Sequence, residues 1–484
     1  MKGNQRRAPL AEAVEAYAAG DARPFHTPGH KQGLGAHLRL RQFITSEGLR
    51  ADVSLMEELD DLHHPTGCIA EAEALAAELY GAEAAYFMVN GTSGAVHTMM
   101  LAALSPGDEV LLPRNVHRSV FNGLVLTGAV PVYLPPVMDE RLGIALGITT
   151  ETVSRALAEH PAAKAVLVVY PNYYGVTFDL LSVTALAHAR DVTVLVDEAH
   201  GPHLRFSEAL PPDALSCGAD LVAQSTHKLL GSLTQTSMLF RQGGRVSGEA
   251  VRRAAALLTT TSPNYLLLAS LDIARLQMAT YGSDLIGRAV RLAAGVRRVV
   301  NDSPGLWCFG EEYMGRPGAE ALDVTKVTVQ TAWLGLSGRA AADILRRDYH
   351  IACELTDAYN VLFLLTLADR EEEALFLAKS LKDLAIRHRR SPLERPHISL
   401  PELPSQAAAP REAFFAPSEA VPFPEAAGRV AAEEIAFYPP GIPVLCPGER
   451  ISRELLAYLR EMTALGLRVT GPEDVTLTTI RVLR

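Results

Sequence analysis

The residues best suited to chemistry surround one lysine, in the segment STHKLLGSLTQTS at positions 225–237. Lys228 follows Ser225 and His227, and further hydroxyl residues come after it. An exposed lysine needs no such neighbours, whereas a buried lysine is unfavourable unless other groups compensate its charge. The segment alone therefore fits either a polar surface loop or a lysine that is held in place to react.

Other polar residues follow predicted strands, at the edge where ligands bind to open α/β sheets. The segment NGTSG at 90–94 begins a helix, whose N-terminus favours an anion. Asp197 ends the strand VTVLVD, His200 follows in DEAHG, and His117 comes after the strand DEVLLP. Each also has a structural explanation, because carboxylates and hydroxyl residues cap helices and a single histidine is often structural.

Together these residues match the requirements of pyridoxal phosphate. The lysine forms a Schiff base with the aldehyde of this cofactor. A carboxylate such as Asp197 keeps the pyridine nitrogen protonated, which makes the ring an electron sink. The hydroxyl and N–H groups of 90–94 hold the phosphate, and an aromatic side chain stacks on the ring.

The elements that must position these residues alternate between strand and helix from about residue 70 onwards. Apolar, β-branched runs such as AKAVLVVYP and VTVLVDEA are typical of strands buried on both faces of a parallel sheet. The alternation predicts an α/β fold with a doubly wound, mostly parallel sheet. A second, smaller α/β unit follows, and a proline-rich stretch at 391–424 suggests a boundary.

The predicted division of the chain has four parts. They are an N-terminal arm (1–60), a large cofactor-binding domain (61–285), a small α/β domain (286–390) and a C-terminal domain (391–484). The length of 484 residues is too great for one simple core, which agrees with several domains.

Composition excludes several classes of protein. The net charge of −10 disfavours nucleic-acid binding, which needs a basic surface. Five scattered cysteines suggest reduced thiols, and the N-terminus lacks the apolar segment of a secretory signal. No apolar run reaches the ~18 residues that a membrane-spanning helix needs. We therefore expect a cytoplasmic protein with no membrane or nucleic-acid partner.

Several long motifs resemble those of the bacterial ornithine/lysine/arginine decarboxylases, which are fold-type-I pyridoxal-phosphate enzymes related to aspartate aminotransferase. The similarity is carried by STHKLLGSLTQTS and by other segments between residue 25 and about residue 450, namely FHTPGHK, LDDLHHPTGCIAEAEALAAELYGA, YFMVNGTSGA, RNVHRSV, VDEAHG, TTTSPNY and YPPGIPVLCPGE. The chain begins close to FHTPGHK, and so resembles the shorter, biosynthetic members without an N-terminal wing domain.

The resemblance implies a role for each candidate residue. Lys228 binds the cofactor covalently, Asp197 pairs with the pyridine nitrogen and His117 stacks on the ring. His200 lies beside the ring, and Ser262 with the adjoining Thr261 reaches the cofactor of a neighbouring subunit. The phosphate is surrounded by Thr92, Ser93, Gly94, Ser225 and His227. The resemblance thus implies a homodimer or a dimer of dimers with shared active sites.

The expected reaction is decarboxylation of a basic amino acid. The expected substrate is arginine, which would give agmatine, and lysine and ornithine are the alternative substrates. Glu433, in AAEEIAFYPPGIP, is the predicted partner of the distal cation of the substrate, with Glu434 as the alternative. The alternative explanation of both residues is a solvated acidic pair on a surface element.

Other functions share part of the same pattern. An aminotransferase has the same lysine and aspartate, and a carbon–sulfur lyase or aldolase uses the same fold. A regulatory protein that binds the cofactor without catalysis is a fourth alternative, which the intact Lys228, Asp197 and His117 disfavour. His26, His30, His63 and His64 suggest a metal site, but they lack compact ligand spacing with carboxylates, so we expect no metal.

Overall fold

Helices form where the sequence is alanine-rich or amphipathic. The structure is a computed structural model and describes residues 3–393, 402–438, 442–464 and 466–484. In chain order, the α-helices of these residues are α1 (Pro9–Ala19), α2 (Leu38–Phe43), α3 (Ser46–Ala51), α4 (Cys68–Tyr80), α5 (Gly91–Ala103), α6 (Arg118–Thr127), α7 (Thr150–Glu159), α8 (Leu180–His188), α9 (Thr226–Leu229), α10 (Gly248–Leu258), α11 (Tyr265–Asn301), α12 (Gly338–Tyr349), α13 (Glu371–Arg387), α14 (Pro410–Phe415) and α15 (Arg453–Ala464).

Strands form at the apolar, β-branched runs. In chain order they are β1 (Ala84–Met88), β2 (Glu109–Pro113), β3 (Val130–Leu134), β4 (Met138–Asp139), β5 (Ile144–Ala145), β6 (Ala165–Val169), β7 (Val176–Thr177), β8 (Thr193–Asp197), β9 (Leu221–Gln224), β10 (Ser237–Arg241), β11 (Trp307–Cys308), β12 (Ala321–Leu322), β13 (Lys326–Gln330), β14 (Leu355–Thr356), β15 (Asn360–Leu364), β16 (Ser418–Pro422), β17 (Ile435–Tyr438), β18 (Ile442–Leu445), β19 (Arg468–Thr470) and β20 (Thr479–Leu483).

The chain divides into two compact units, of which the first comprises residues 1–103, 193–208 and 212–286. Its strands have the order β1-β10-β9-β8, in which β8 and β9 are parallel and β10 is antiparallel to both of its neighbours. All five residues of β8 are buried. The register pairs Met88 with Ser237 and Met238 with Gln224, so the end of β1, the start of β10 and the end of β9 meet at one edge.

The second unit comprises residues 104–192, 209–211 and 287–484. In it, β2 pairs in parallel with β3 and with β6. A second, antiparallel sheet has the order β11-β13-β15-β14, and its apolar face packs with residues of α11, α12 and α13. These elements are the smaller α/β unit that the sequence predicts.

The C-terminal region of the second unit has its own apolar core. Strands β16 and β20 form one antiparallel pair, and β18-β17-β19 form a three-stranded sheet. Leu455, Leu459 and Met462 of α15 pack with Ile435 of β17 and Ile480 of β20. Apolar side chains thus hold the described part of this region together, and its one cysteine among the described residues, Cys446, is a free thiol.

The predicted α/β class is confirmed, because helices alternate with strands whose pairings are mostly parallel around β2, β6, β8 and β9. The four-part domain division stays a prediction. Part of the proline-rich stretch, residues 394–401, lies outside the described residues. Among the helices that the structure describes, none is both long enough and apolar enough to cross a membrane.

Candidate active site

Lys228 lies at the edge where β9 ends. Ser225 follows β9 directly and is the N-cap residue of α9, which carries Lys228 in its last turn. The Nζ atom of Lys228 is 3.0 Å from Nε2 of His200, a residue that is almost completely buried after the end of β8. Lys228 is itself half-buried, and its contact with His200 holds its side chain in place.

Asp197 is the last residue of β8 and is buried. Its Oδ1 atom accepts a hydrogen bond of 3.1 Å from the backbone N–H of Ala199. Burial raises the pKa of Asp197, while the charge of Lys228 and the bond from Ala199 act in the opposite direction. A buried carboxylate beside a lysine is a suitable partner for a cationic ring nitrogen.

Three hydroxyl groups meet beside the start of α5. The hydroxyl groups of Thr92 and Ser225 are hydrogen-bonded to each other, and Thr92 also donates to Ser237 Oγ at 3.0 Å. Ser237 donates in turn to the carbonyl of Gln224 at 2.7 Å. Because Thr92 has one hydroxyl proton, Ser225 must donate to Thr92, which orders the chain of bonds from Ser225 to Gln224.

The first turn of α5 has the properties of an anion cradle. Gly91 adopts a positive φ of 65°, which turns the chain from β1 into the helix. A Cβ atom added to Gly94 would lie 3.0 Å from Cβ of Asn90, so this turn has little room for a side chain there. Ser93 is exposed on the same turn. The structure therefore brings Thr92, Ser93, Gly94 and Ser225 to one edge, as predicted, while their contact with phosphate stays a prediction.

His227 precedes Lys228 on α9, and its Nδ1 atom lies 2.6 Å from the carbonyl oxygen of Thr236. A carbonyl oxygen only accepts, so Nδ1 carries the proton and donates it. Burial lowers the pKa of His227, and the charge of Lys228 lowers it further although the bond to Thr236 opposes this. His227 is therefore a neutral, fixed ring near neutral pH.

His117 belongs to the second unit and is the N-cap residue of α6. Its Nδ1 atom accepts the backbone N–H of Ser119 at 3.2 Å and lies 2.8 Å from the hydroxyl oxygen of the same residue. The ring orientation is thus tied to the first turn of the helix. Stacking of His117 on a cofactor ring stays a prediction.

Ser262 lies in the first unit, between α10 and α11, and is exposed. Its Oγ atom is 3.3 Å from Oγ1 of Thr260, and its backbone N–H donates to the same hydroxyl. Among the described residues, these local bonds are the ones that Ser262 makes. Its predicted approach to the cofactor of another subunit stays a prediction.

The two candidate substrate carboxylates have different surroundings. Glu433 accepts the backbone N–H groups of Glu473 at 2.8 Å and of Arg481 at 2.7 Å, so both of its oxygens join neighbouring segments of the C-terminal region. Glu434 is mostly buried, lies 3.6 Å from Nε of Arg118, and has a pKa that burial raises. Substrate binding by Glu433 stays a prediction. The adjoining Pro439, Pro440 and Gly441 lie outside the described residues.

The sequence interpretation missed three charged residues near these positions. Glu198 is fully buried and accepts hydrogen bonds from Gln224 Nε2 and the Ala214 N–H, both at 2.7 Å. Arg114 and Glu449 form a buried ion pair in the second unit. All three lie in motifs noted above, from which only Asp197, His200 and His117 were predicted as site residues. Within the part of the chain described, no cluster of three metal-ligating side chains occurs.

Comparison with known proteins identifies the family. A model of the Orn/Lys/Arg decarboxylase major domain matches residues 8–373, and a model of the C-terminal domain of the same family matches residues 397–474. The chain belongs to the Orn/Lys/Arg decarboxylase family. It is similar to the arginine decarboxylase of Halalkalibacterium halodurans, with 46% identity over 482 residues that cover 99% of this chain and 98% of the relative.

Solved structures support the fold that the resemblance implies. The constitutive lysine decarboxylase of Escherichia coli has a TM-score of 0.84 and 25% identity, and the match covers 99% of this chain and 82% of that one. The ureidoglycine-glyoxylate aminotransferase of Bacillus subtilis has a TM-score of 0.53 and 15% identity, over 67% and 86% of the two chains. The predicted family and fold-type-I architecture are thus confirmed, and this chain is an enzyme of the decarboxylase family.

Proposed function

We propose that this protein decarboxylates arginine to agmatine and CO₂ with pyridoxal phosphate as cofactor. The observation that carries the proposal is the 46% identity to an arginine decarboxylase over almost the full length of both chains. The lysine decarboxylase of Escherichia coli is more distant, at 27% identity. Lysine and ornithine are therefore the alternative substrates, and the same site would act on them.

The residues present suit the cofactor. Lys228 offers an amine for its aldehyde, and the buried Asp197 offers a negative charge for its ring nitrogen. The N–H groups at the start of α5 suit its phosphate, and the hydroxyl groups of Thr92 and Ser225, which bond to each other here, would turn towards the phosphate to donate to it. When bound, pyridoxal phosphate accepts the electron pair of the breaking carbon–carbon bond.

The protein's own residues would position the reacting groups and supply the proton that the product receives. The hydrogen bond between Nζ of Lys228 and Nε2 of His200 holds the lysine beside the end of β9. Asp197, held by Ala199, supplies a fixed negative charge that needs no reorganisation during the reaction. The bond from Cα to the carboxylate breaks, CO₂ leaves, and Cα receives one proton, for which Lys228 and His117 are the candidate donors.

The substrate class requires a carboxylate that meets a distal cation. A guanidinium group can donate two parallel hydrogen bonds to one carboxylate, whereas an ammonium group behaves as a point charge. Glu433 is the residue we propose from the sequence, and its two bonds to backbone N–H groups compete with that role. Glu433→Gln distinguishes the two roles. Loss of a substrate contact would raise KM, whereas loss of a structural contact would lower the stability of the protein.

The experiment that tests the proposed function supplies arginine, lysine and ornithine separately to purified protein with pyridoxal phosphate. We expect agmatine and equimolar CO₂ from arginine, at a kcat/KM well above that for the other two. Cadaverine or putrescine as the main product would replace arginine by the corresponding substrate. A keto acid without CO₂ would instead identify an aminotransferase.

The proposed assembly is a homodimer or a dimer of dimers, built from further copies of this chain. Helix α2 buries none of its side chains, and Phe43 at its end is 87% exposed. Phe25 and Leu34, on the preceding arm, are 93% and 76% exposed. Such apolar exposure along one segment is typical of a surface that a partner covers. The cytoplasmic location predicted from the sequence stays a prediction.

A further inference from the structure

The loop 114–117 connects β2 to α6 and carries His117; Arg114 begins this loop, and Arg118 is the first residue of the helix that follows it. His117 caps α6 through its bond with Ser119, so any movement of the helix start moves the imidazole. What holds the two arginines therefore determines where this ring lies. Both are held by carboxylates of the C-terminal region, and all of these residues belong to the second unit.

The first anchor is a buried ion pair. Nη1 and Nη2 of Arg114 donate to the two carboxylate oxygens of Glu449 at 2.7 and 2.9 Å, and Nη2 also donates to the carbonyl of Val444 at 3.0 Å. Glu449 accepts in addition the backbone N–H of Cys446 at 2.7 Å. A bidentate pair fixes direction as well as distance, so the start of the His117 loop is rigidly oriented on the turn 444–449.

The second anchor is less buried. Nε of Arg118 lies 3.6 Å from Oε1 of Glu434, whose side chain is only 11% exposed. Arg118 is the first residue of α6 and directly follows His117. Glu434 directly precedes β17, Glu449 lies in the turn that follows β18, and β17 and β18 pair in one small sheet. Two carboxylates that flank paired strands thus hold Arg114 and Arg118, on either side of His117.

A third contact holds the other end of the helix. Nη1 of Arg411, in α14, donates to the carbonyls of Val125 and Leu126 at 3.1 and 2.9 Å. These carbonyls belong to the last turn of α6, where a cation also interacts favourably with the helix dipole. The C-terminal region therefore contacts α6 at both ends, which limits rotation of the whole helix.

We propose that Glu449 and Glu434 are positioning residues that act through Arg114 and Arg118 to place the His117 ring for cofactor binding. The inference rests on the proposed function, because it needs a cofactor for His117 to contact. The C-terminal region would thus increase the affinity for the cofactor, although neither carboxylate would itself contact the cofactor. Stacking tolerates little displacement, so a small shift of the loop has a large effect.

The test measures binding of pyridoxal phosphate to the cofactor-free protein, together with circular dichroism of the bound cofactor. We expect Glu449→Gln to weaken binding roughly tenfold or more, and Glu434→Gln to weaken it less because its pair with Arg118 is longer and more exposed. Both should change the dichroism band. The matched control is Glu419→Gln, which removes the exposed Glu419–Arg429 pair of the same region and should change neither quantity.

A double-mutant cycle asks whether Glu449 acts through the ring. In a His117→Ala background, Glu449→Gln should have little further effect on cofactor affinity, because the ring that it positions is gone. Unchanged affinity and dichroism in both glutamine variants would overturn the inference. So would full additivity with His117→Ala, or a lower unfolding temperature with no effect on the cofactor while the protein is folded.

Failure of this inference is separable from failure of the proposed function. Wild-type protein that forms agmatine while both variants bind cofactor normally would contradict the positioning role alone. Wild-type protein that binds the cofactor in a manner dependent on Glu449 but forms no amine would contradict the decarboxylase proposal alone. If Glu449→Gln does not fold, Glu434→Gln decides, because its anchor lies nearer the surface.

Discussion

At the scale of single residues, Asp197 is the best-defined electrostatic element beside Lys228. Burial raises its pKa, so it is a costly charge unless a cation faces it. We expect Asp197→Asn to lower kcat roughly a hundredfold or more while cofactor binding persists, because the amide retains shape but not charge. Steady-state kinetics and the absorption spectrum of the bound cofactor measure the two effects.

The control for this variant is Asp179→Asn. Asp179 is a helix N-cap whose Oδ1 accepts the N–H of Ser182, so an asparagine there keeps the capping bond. We expect its kcat to equal that of the wild type. Near-normal kcat in Asp197→Asn would remove Asp197 from the mechanism.

The positions of Lys228, Asp197 and Thr92 at this edge were predictable from the sequence, because each lies at or just after the end of a recognisable strand. It could not identify Glu198, although this residue adjoins Asp197, because burial of its carboxylate depends on Gln224 and on the backbone of Ala214. Those partners come from other segments of the chain. Side-chain types and strand ends are local properties, whereas hydrogen-bond partners are not.

At the scale of elements, the turn before β20 is organised by one carboxylate. Asp474 accepts bonds from the Thr476 hydroxyl at 2.6 Å and from the backbone N–H groups of Thr476, Thr478 and Thr479 at 2.8–3.0 Å. The Thr476 hydroxyl, followed by these N–H groups, lowers the pKa of Asp474 to about 2. Ionised Asp474 therefore stabilises this turn.

The sign of the pH dependence follows from that lowered pKa. In the unfolded chain the carboxyl titrates near an ordinary value of about 3.9, so its stabilisation is complete above that pH. It is lost as pH falls towards 2, where the folded state also binds the proton. We expect Asp474→Asn to be less stable than wild type at pH 6, with a smaller difference at pH 3. Urea unfolding at both pH values measures this, and a difference that is constant with pH would contradict it.

Most elements were predictable because each periodic or apolar run is a local signal. The runs VTVLVD and DEVLLP became β8 and β2 at the expected positions. The antiparallel direction of β10 was not predicted, because the mostly apolar segment SMLFR has the same pattern in a parallel and in an antiparallel strand. The ion pair of Arg114 with Glu449 was also not predictable, because 335 positions separate the two residues.

At the scale of the whole molecule, the exposed apolar arm predicts self-association. We expect light scattering to give about two or four times the chain mass of 52.1 kDa for active protein. Phe43→Asp should shift the protein towards the monomer, because burying a charge at an interface is unfavourable. Leu181→Asp, at a residue that is 62% exposed on α8, is the matched control and should leave the mass unchanged. A fully active monomer would rule out shared active sites.

If Lys228 enables decarboxylation of arginine, arginine labelled at its α-carboxyl carbon should release labelled CO₂ only when this lysine is present. Wild type, Lys228→Ala and the exposed-lysine control Lys164→Ala are each supplied with pyridoxal phosphate. We expect labelled CO₂ and equimolar agmatine from wild type and the control, with the rate of Lys228→Ala lower by roughly a thousandfold or more. Release by Lys228→Ala at the wild-type rate, or none from wild type, would contradict this expectation.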